Sequence, residues 1–172
     1  MNMNLLVLSD THGRPDRIRD ALKRQPTPPD ALIFLGDGLS DLARCDTGNI
    51  PVYAVRGNCD ALTIFDDPPT PEERLIDLYG IKIFLTHGHR FLVKQSLSAA
   101  AAYAARLGAD LLLYGHTHIT REENIPAGTL VGGFVTEKPL ILFNPGSAAG
   151  YRGSFGSIAV RGHNIVCGIG EF

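Results

Sequence analysis

At 172 residues the chain is long enough to bury a continuous core, so residues 1–172 are expected to form one domain that needs neither disulfides nor a structural metal to fold. A net charge of −2, with 44% hydrophobic and 20% charged residues, is an ordinary globular balance and argues against a protein that tracks polymeric nucleic acid or an anionic membrane. The three cysteines (Cys45, Cys59 and Cys167) are odd in number, widely spaced and without a CxxC pair, which points to free thiols in a reducing compartment.

Met1-Asn2-Met3-Asn4 carries no basic leader, and the apolar run Leu5–Leu8 ends too soon for a signal peptide. No stretch nears the roughly 20 apolar residues of a membrane span. The expected location is therefore cytoplasmic. Leu5–Leu8 reads as a buried strand because its four apolar residues do not alternate with polar ones. Pro15 to Arg24 reads as an amphipathic helix, with Pro15 in the first turn and Ile18, Ala21 and Leu22 on one face. Pro26, Pro28 and Pro29 stop it, and Leu32–Leu35 follows as a strand. Strand, helix and strand form a βαβ unit with parallel pairing.

Val52–Val55 is the next strand, and the proline-rich stretch from Asp66 to Pro71 is a loop. Leu75–Tyr79 and Ile81–Leu85 flank Gly80 as a hairpin. Ser96 to Leu107 is an alanine-rich helix packed on a sheet and capped by Gly108. Leu111–Tyr114 is a strand. Short β pieces follow at Thr129–Val131, Leu140–Phe143, Ser157–Val160 and Asn164–Val166, with Asn144-Pro145-Gly146-Ser147 as a turn.

Five of these apolar runs each stop at a small polar cluster. The clusters are Ser9-Asp10-Thr11-His12-Gly13, Gly36-Asp37-Gly38, Arg56-Gly57-Asn58-Cys59-Asp60, Thr86-His87-Gly88-His89 and Gly115-His116-Thr117-His118. Five of the six histidines fall inside them; His163, outside, reads as a surface residue. A strand followed by a glycine-bearing turn puts that turn at one rim of a sheet, where open α/β sheets bind ligands. In extended backbone Asp10 and His12 would point the same way and reach one ion. Asp37, between two glycines, has two oxygens and could bridge two ions.

With Asn58, His87, His116 and His118 the donors are two carboxylates, one amide and four imidazoles. That exceeds a four-coordinate zinc site and includes no thiolate pair. It fits two divalent ions, with Mn²⁺ first and Fe, Zn²⁺ or Ni²⁺ as alternatives. Each cluster alone has a plainer reading: Asp10 as a helix cap, the Gly-Asp and Gly-Asn pairs as turns, Cys59 as a small hydrophobe. Arg56 is a candidate substrate contact, against an ion pair or a stem laid on apolar surface. Five such clusters at strand ends favour the joint reading.

The ordered set Asp10-x-His12, Gly36-Asp37, Gly57-Asn58, His87-Gly88-His89 and Gly115-His116-x-His118 resembles the calcineurin-like metallophosphoesterases. Arg56–Asp60 and Phe143–Ser147 resemble their small prokaryotic phosphodiesterase branch. The resemblance implies an α/β fold: a two-sheet β-sandwich flanked by helices (αββα, metallophosphatase-like). It implies Asp10, His12, Asp37 and His118 on the first metal, and Asp37, Asn58, His87 and His116 on the second. Many family members place a histidine after the motif asparagine, where it helps protonate the leaving group. Cys59 stands there instead, and a thiol with a pKa of about 8.5 is a weak donor. His89 is a candidate substitute.

The expected function is hydrolysis of a small phosphodiester or nucleotide through a dinuclear metal-bound hydroxide, with the ions roughly 3.5–4 Å apart. Asp37, Asn58, Cys59 and His89 are the candidate catalytic residues, and Asn58 and Arg56 the substrate contacts. The rival reading is a protein-interaction scaffold on the same fold. A nuclease acting on polymers lacks its basic stripe here. No membrane partner is expected, and self-association is left open.

Overall fold

The computed structural model describes residues 2–61, 69–162 and 164–172. Part of the expected proline-rich loop (66–68) and His163 lie outside the described residues. The elements are β1 (Asn2–Leu8), α1 (Pro15–Lys23), β2 (Ala31–Phe34), α2 (Leu39–Leu42), β3 (Val52–Ala54), β4 (Glu73–Leu78), β5 (Ile81–Thr86), α3 (Ser98–Arg106), β6 (Leu111–Tyr114), β7 (Thr120–Ile125), β8 (Leu130–Val131), β9 (Phe134–Val135), β10 (Leu140–Pro145), β11 (Ser154–Arg161) and β12 (Asn164–Glu171). Two five-stranded sheets run in the orders β12-β11-β1-β2-β3 and β4-β5-β6-β10-β7, with a separate β8-β9 ribbon.

Non-alternating apolar runs become strands buried on both faces. Leu5 and Val7 of β1 point into the core between the sheets, with Ile33, Leu85, Leu113, Phe143 and Ile158. Leu6 and Leu8 point the other way, under Ile18 and Ala21 of α1. On the second sheet, Phe84, Leu112 and Leu142 pack under Ala100, Ala101 and Ala104 of α3. The alanines let that helix sit close to the strands, as the sequence suggests. This is the helix-flanked two-sheet sandwich. Among the described residues no helix is long and apolar enough to cross a membrane.

Register decides where the polar clusters go. β1 pairs parallel with β2 and β2 with β3, so Leu8, Phe34 and Ala54 end level. β5 pairs parallel with β6, so Thr86 and Tyr114 end level. Each of these strands hands its chain to one of the five polar clusters. The β4–β5 hairpin closes through Tyr79 and Gly80, both at positive φ, as a two-residue turn requires.

Several details differ from the sequence reading. The strand β7, Thr120-Arg121-Glu122-Glu123-Asn124-Ile125, has almost no apolar pattern because it is an exposed edge strand, and charge on an edge discourages pairing with other chains. The short helix α2 follows Gly38 without a periodic signal. The expected turn at Asn144 begins only at Gly146 (φ 81), because Asn144 and Pro145 remain in β10. Buried Asn144 donates from its amide to the Gly115 carbonyl and Thr117 Oγ1, both at 3.0 Å.

Candidate metal centre

The rim turns are tight. Among the described residues seven non-glycine residues have positive φ, and five are Asp10, His12, Asp37, His116 and His118. Such conformations cost about 1–3 kcal/mol each outside glycine and persist where the surroundings enforce them. Asp and His tolerate them better than bulky residues. The expectation of extended backbone at Asp10 and His12 is therefore corrected. Both are left-handed, at φ 57 and 42, and they converge by turning around Thr11.

Asp10 is fully buried. Its Oδ1 lies 3.0 Å from His118 Nε2 and 3.6 Å from His12 Nε2. Its Oδ2 accepts the Ser9 hydroxyl and the His116 backbone N–H at 3.1 Å. The two imidazoles meet with Nε2 atoms 3.3 Å apart. Two ring nitrogens at that distance can share a proton or a cation between them. A second group forms around Asp37, whose Oδ2 lies 3.3 Å from His87 Nε2 and 4.0 Å from His12 Nε2. The ring of His116 stands 5.0 Å from that of His87, centroid to centroid.

His87 is wholly enclosed, and its Nδ1 meets the Leu35 carbonyl at 2.7 Å. Donation from Nδ1 leaves Nε2 as the bare acceptor, and Nε2 is buried without a hydrogen-bond partner. A buried, unpaired ring nitrogen beside a carboxylate costs free energy unless a proton or a metal cation completes it. Donor atoms of Asp10, His12 and His118 lie within 4.8 Å of one another, as do those of Asp37, His87 and His116. A third such set joins His12, Asp37 and Cys59. The residues present thus fit divalent cations.

Charge follows the same plan. Burial alone would raise the Asp37 carboxyl, but His87 and the Cys59 backbone N–H (2.7 Å to Oδ1) hold it well below the usual range. Burial opposes protonation of His87, yet Asp37 and Asp10 outweigh it and raise its pKa. His116 goes the other way, lowered to about 4 by burial and by the charges of His87 and Lys94.

The Calcineurin-like phosphoesterase superfamily domain matches residues 3–162 of this chain. The chain belongs to that superfamily. It is 36% identical over 121 residues to the probable metallophosphoesterase YsnB of Bacillus subtilis, covering 70% of this chain and 68% of YsnB. It is 29% identical over 168 residues to the phosphodiesterase YfcE of Escherichia coli K12, covering 86% and 80%. Vps29 of Entamoeba histolytica, solved in complex with Zn²⁺, has the same fold at 23% identity and a TM-score of 0.67, over 98% of this chain and 99% of that one.

Within this calcineurin-like chain the remaining site candidates are distributed as follows. Asn58 is exposed at the rim, and its Nδ2 lies 3.3 Å from Cys59 Sγ. Cys59 is exposed, and its thiol is pushed up by its hydrogen bond to Asp37 and by burial. Arg56 forms an ion pair with Glu72, 3.0 Å from Nη2 to Oε1. Glu72 also pairs with Arg90 and stands 4.0 Å from His89. His89 stacks near His87 at 5.5 Å, centroid to centroid, and burial lowers its pKa.

Several supporting residues were not singled out by the sequence reading. Asp41 on α2 is buried and accepts Thr11 Oγ1 at 2.6 Å and the Gly13 N–H at 2.8 Å. Its signal was an acid in a helix that had no pattern of its own. Glu72 had none, since it is far in sequence from Arg90. Asp60 was visible as the last residue of the Arg56–Asp60 cluster but had no assigned role.

Proposed function

We propose that this chain hydrolyses a small phosphodiester, such as a nucleotide diester, using two divalent ions, Mn²⁺ foremost. Asp10, His12 and His118 would hold the first ion and Asn58, His87 and His116 the second, with Asp37 shared. The observation that carries this reading is the bare Nε2 of His87, buried without a partner 3.3 Å from Asp37 Oδ2. When bound, the ions supply Lewis-acid chemistry, activating water for in-line attack and neutralising phosphoryl charge.

The chain's own residues set the rest. The Leu35 carbonyl fixes the His87 tautomer. Exposed Asn58 can offer its amide N–H to a phosphoryl oxygen. Arg56 spends Nη2 on Glu72 and keeps other N–H donors for an anion. Cys59 stays protonated at neutral pH because Asp37 disfavours its thiolate. A thiol donates weakly, so the departing alkoxide gets little help. That favours diesters with stable leaving groups. His89, whose pKa burial lowers, is the other candidate on this side. Three free thiols support a reducing, cytoplasmic setting.

The seven-donor set supports an enzyme over a protein-interaction scaffold on the same fold. The test is hydrolysis of bis-p-nitrophenyl phosphate by chelator-treated protein reloaded with Mn²⁺, Fe²⁺, Zn²⁺ or Ni²⁺, with Asp37→Ala as the control. Turnover with Mn²⁺ that Asp37→Ala abolishes supports the enzyme. No turnover with any of these metals leaves the scaffold.

A further inference from the structure

We infer that Asp60 is the positioning residue of this centre: its carboxylate locks the turn that presents Asp37 to the turn that presents Asn58. The inference rests on the metal-binding reading above and deepens it. Asp60 Oδ2 accepts the Asp37 N–H at 2.7 Å and the Gly57 N–H at 2.9 Å. Its Oδ1 accepts the N–H groups of Gly38 and Leu39, both at 2.8 Å. One side chain therefore gathers four backbone donors from two separate segments of chain. Two carboxylate oxygens offer about four lone-pair sites, and all are used. Asp60 is consequently no ligand itself; its capacity is spent on the backbone.

The β2–β3 ladder, ending in the Val55 N–H bonded to the Phe34 carbonyl at 2.9 Å, sets the strands level, and Asp60 takes over where the ladder stops. The two turns are pressed together where side chains cannot fit: a Cβ on Gly57 would lie 2.1 Å from Asp37 Oδ1, and one on Gly36 would lie 2.5 Å from the Gly57 nitrogen. Apart from these contacts, the Cys59 N–H to Asp37 Oδ1 is the direct bond between them at the site. Gly38 and Leu39 begin α2, and a helix start leaves backbone donors without intrahelical partners. Asp60 satisfies them and ties the helix to Asn58 in the same step. Charge-assisted bonds of this kind are roughly twice as strong as neutral ones. Asp10, His12 and His118 sit on turns that Asp60 does not touch, although Asp41, on the α2 that Asp60 caps, pins the Thr11–Gly13 turn. Asp60 thus serves one ion position more than the other.

In Asp60→Asn an amide NH₂ would face N–H donors, leaving about two of them unpaired, and the turns would part. The experiment is calorimetric titration of Mn²⁺ into chelator-treated wild type, Asp60→Asn and Asp110→Asn, with circular dichroism and thermal melts alongside. Asp110 is the control because it pins backbone and a lysine at the other end of β6, accepting from the Lys82 N–H at 2.8 Å and Lys138 Nζ at 2.6 Å. Wild type and Asp110→Asn should each bind two ions alike. Asp60→Asn should lose roughly 10–100-fold in the affinity of the position that Asn58 and Asp37 both serve, and less in the one reached through Asp37 alone.

Asp60→Asn binding both ions as wild type does, whatever its melting temperature, overturns the inference. Equal losses in Asp110→Asn also overturn it, since the effect would then be general. If Asp60→Asn does not fold, Asp60→Glu reads the same quantity, because it keeps the charge and moves the oxygens by one methylene. A selective fall supports the inference and wild-type affinity refutes it. Wild type that binds no Mn²⁺ fails earlier and removes the metal reading itself.

Discussion

His87 Nε2 lies 3.3 Å from Asp37 Oδ2, and the opposite ring nitrogen is fixed on the Leu35 carbonyl at 2.7 Å. The imidazole cannot turn away, because its ring is wholly buried. The pair is therefore preset: a carboxylate and an unpartnered nitrogen, aimed at one point. In the metal-free protein a proton answers that need, which is why the His87 pKa is raised. A divalent cation answers it better.

Replacing Asp37 by alanine removes the shared carboxylate of both donor groups. Hydrolysis of bis-p-nitrophenyl phosphate with Mn²⁺ should fall at least about 100-fold, beyond the loss typical of an outer-shell change. The far-UV circular dichroism should stay folded, since Asp37 lies in a rim turn. Retained activity would show that the carboxylate bridges nothing.

Stability should respond to pH in opposite ways with and without metal. A raised histidine pKa stabilises the metal-free fold below the unfolded value near 6.5, and that contribution is lost as pH rises through the folded value. Mn²⁺ competes with the same proton, so its affinity should climb with pH and then level once His87 is neutral. His116, at about 4, is already neutral and adds nothing in this range. Melting curves from pH 6 upward, run in chelator and in Mn²⁺, check both slopes; parallel slopes would contradict the assignment of the proton to His87.

Cys59→His should place a stronger proton donor on the leaving-group side. General acid catalysis is worth roughly 10²–10⁴-fold where protonation limits the rate. The gain should therefore appear with alkyl esters, which leave poorly, and be small with p-nitrophenyl esters. The ratio of kcat values for the two substrate types measures it. An equal change in both would mean that Cys59 is remote from the leaving group.

Gly57→Ala should damage the site through sterics alone. The added methyl would lie 2.1 Å from Asp37 Oδ1 and 2.6 Å from its backbone nitrogen. Overpacking of this kind costs about 1–3 kcal/mol, read as a lower denaturation midpoint. Metal affinity should fall with it. Gly13→Ala meets no atom within 4 Å, so it should cost only the strain of its positive φ.

The sequence made the donors legible because strand ends and metal-type residues coincide five times, and parallel register then carries those ends to one rim. It misjudged how Asp10 and His12 converge. Periodicity describes extended backbone, whereas these residues occupy left-handed turns enforced by their neighbours. It also passed over β7 and α2, the first because an exposed charged edge has no apolar rhythm, the second because four residues are too few to show one. Asp41 and Glu72 were invisible for a different reason: each acts on partners brought close only by the fold.

The most direct test of the paired-cation account is a crystal structure of the Mn²⁺-soaked protein with anomalous data collected near the manganese edge. The account predicts two strong peaks flanking the Asp37 carboxylate, one toward Asp10, His12 and His118, the other toward Asn58, His87 and His116. A single peak, or none at those donors in fully Mn²⁺-saturated crystals, would contradict it.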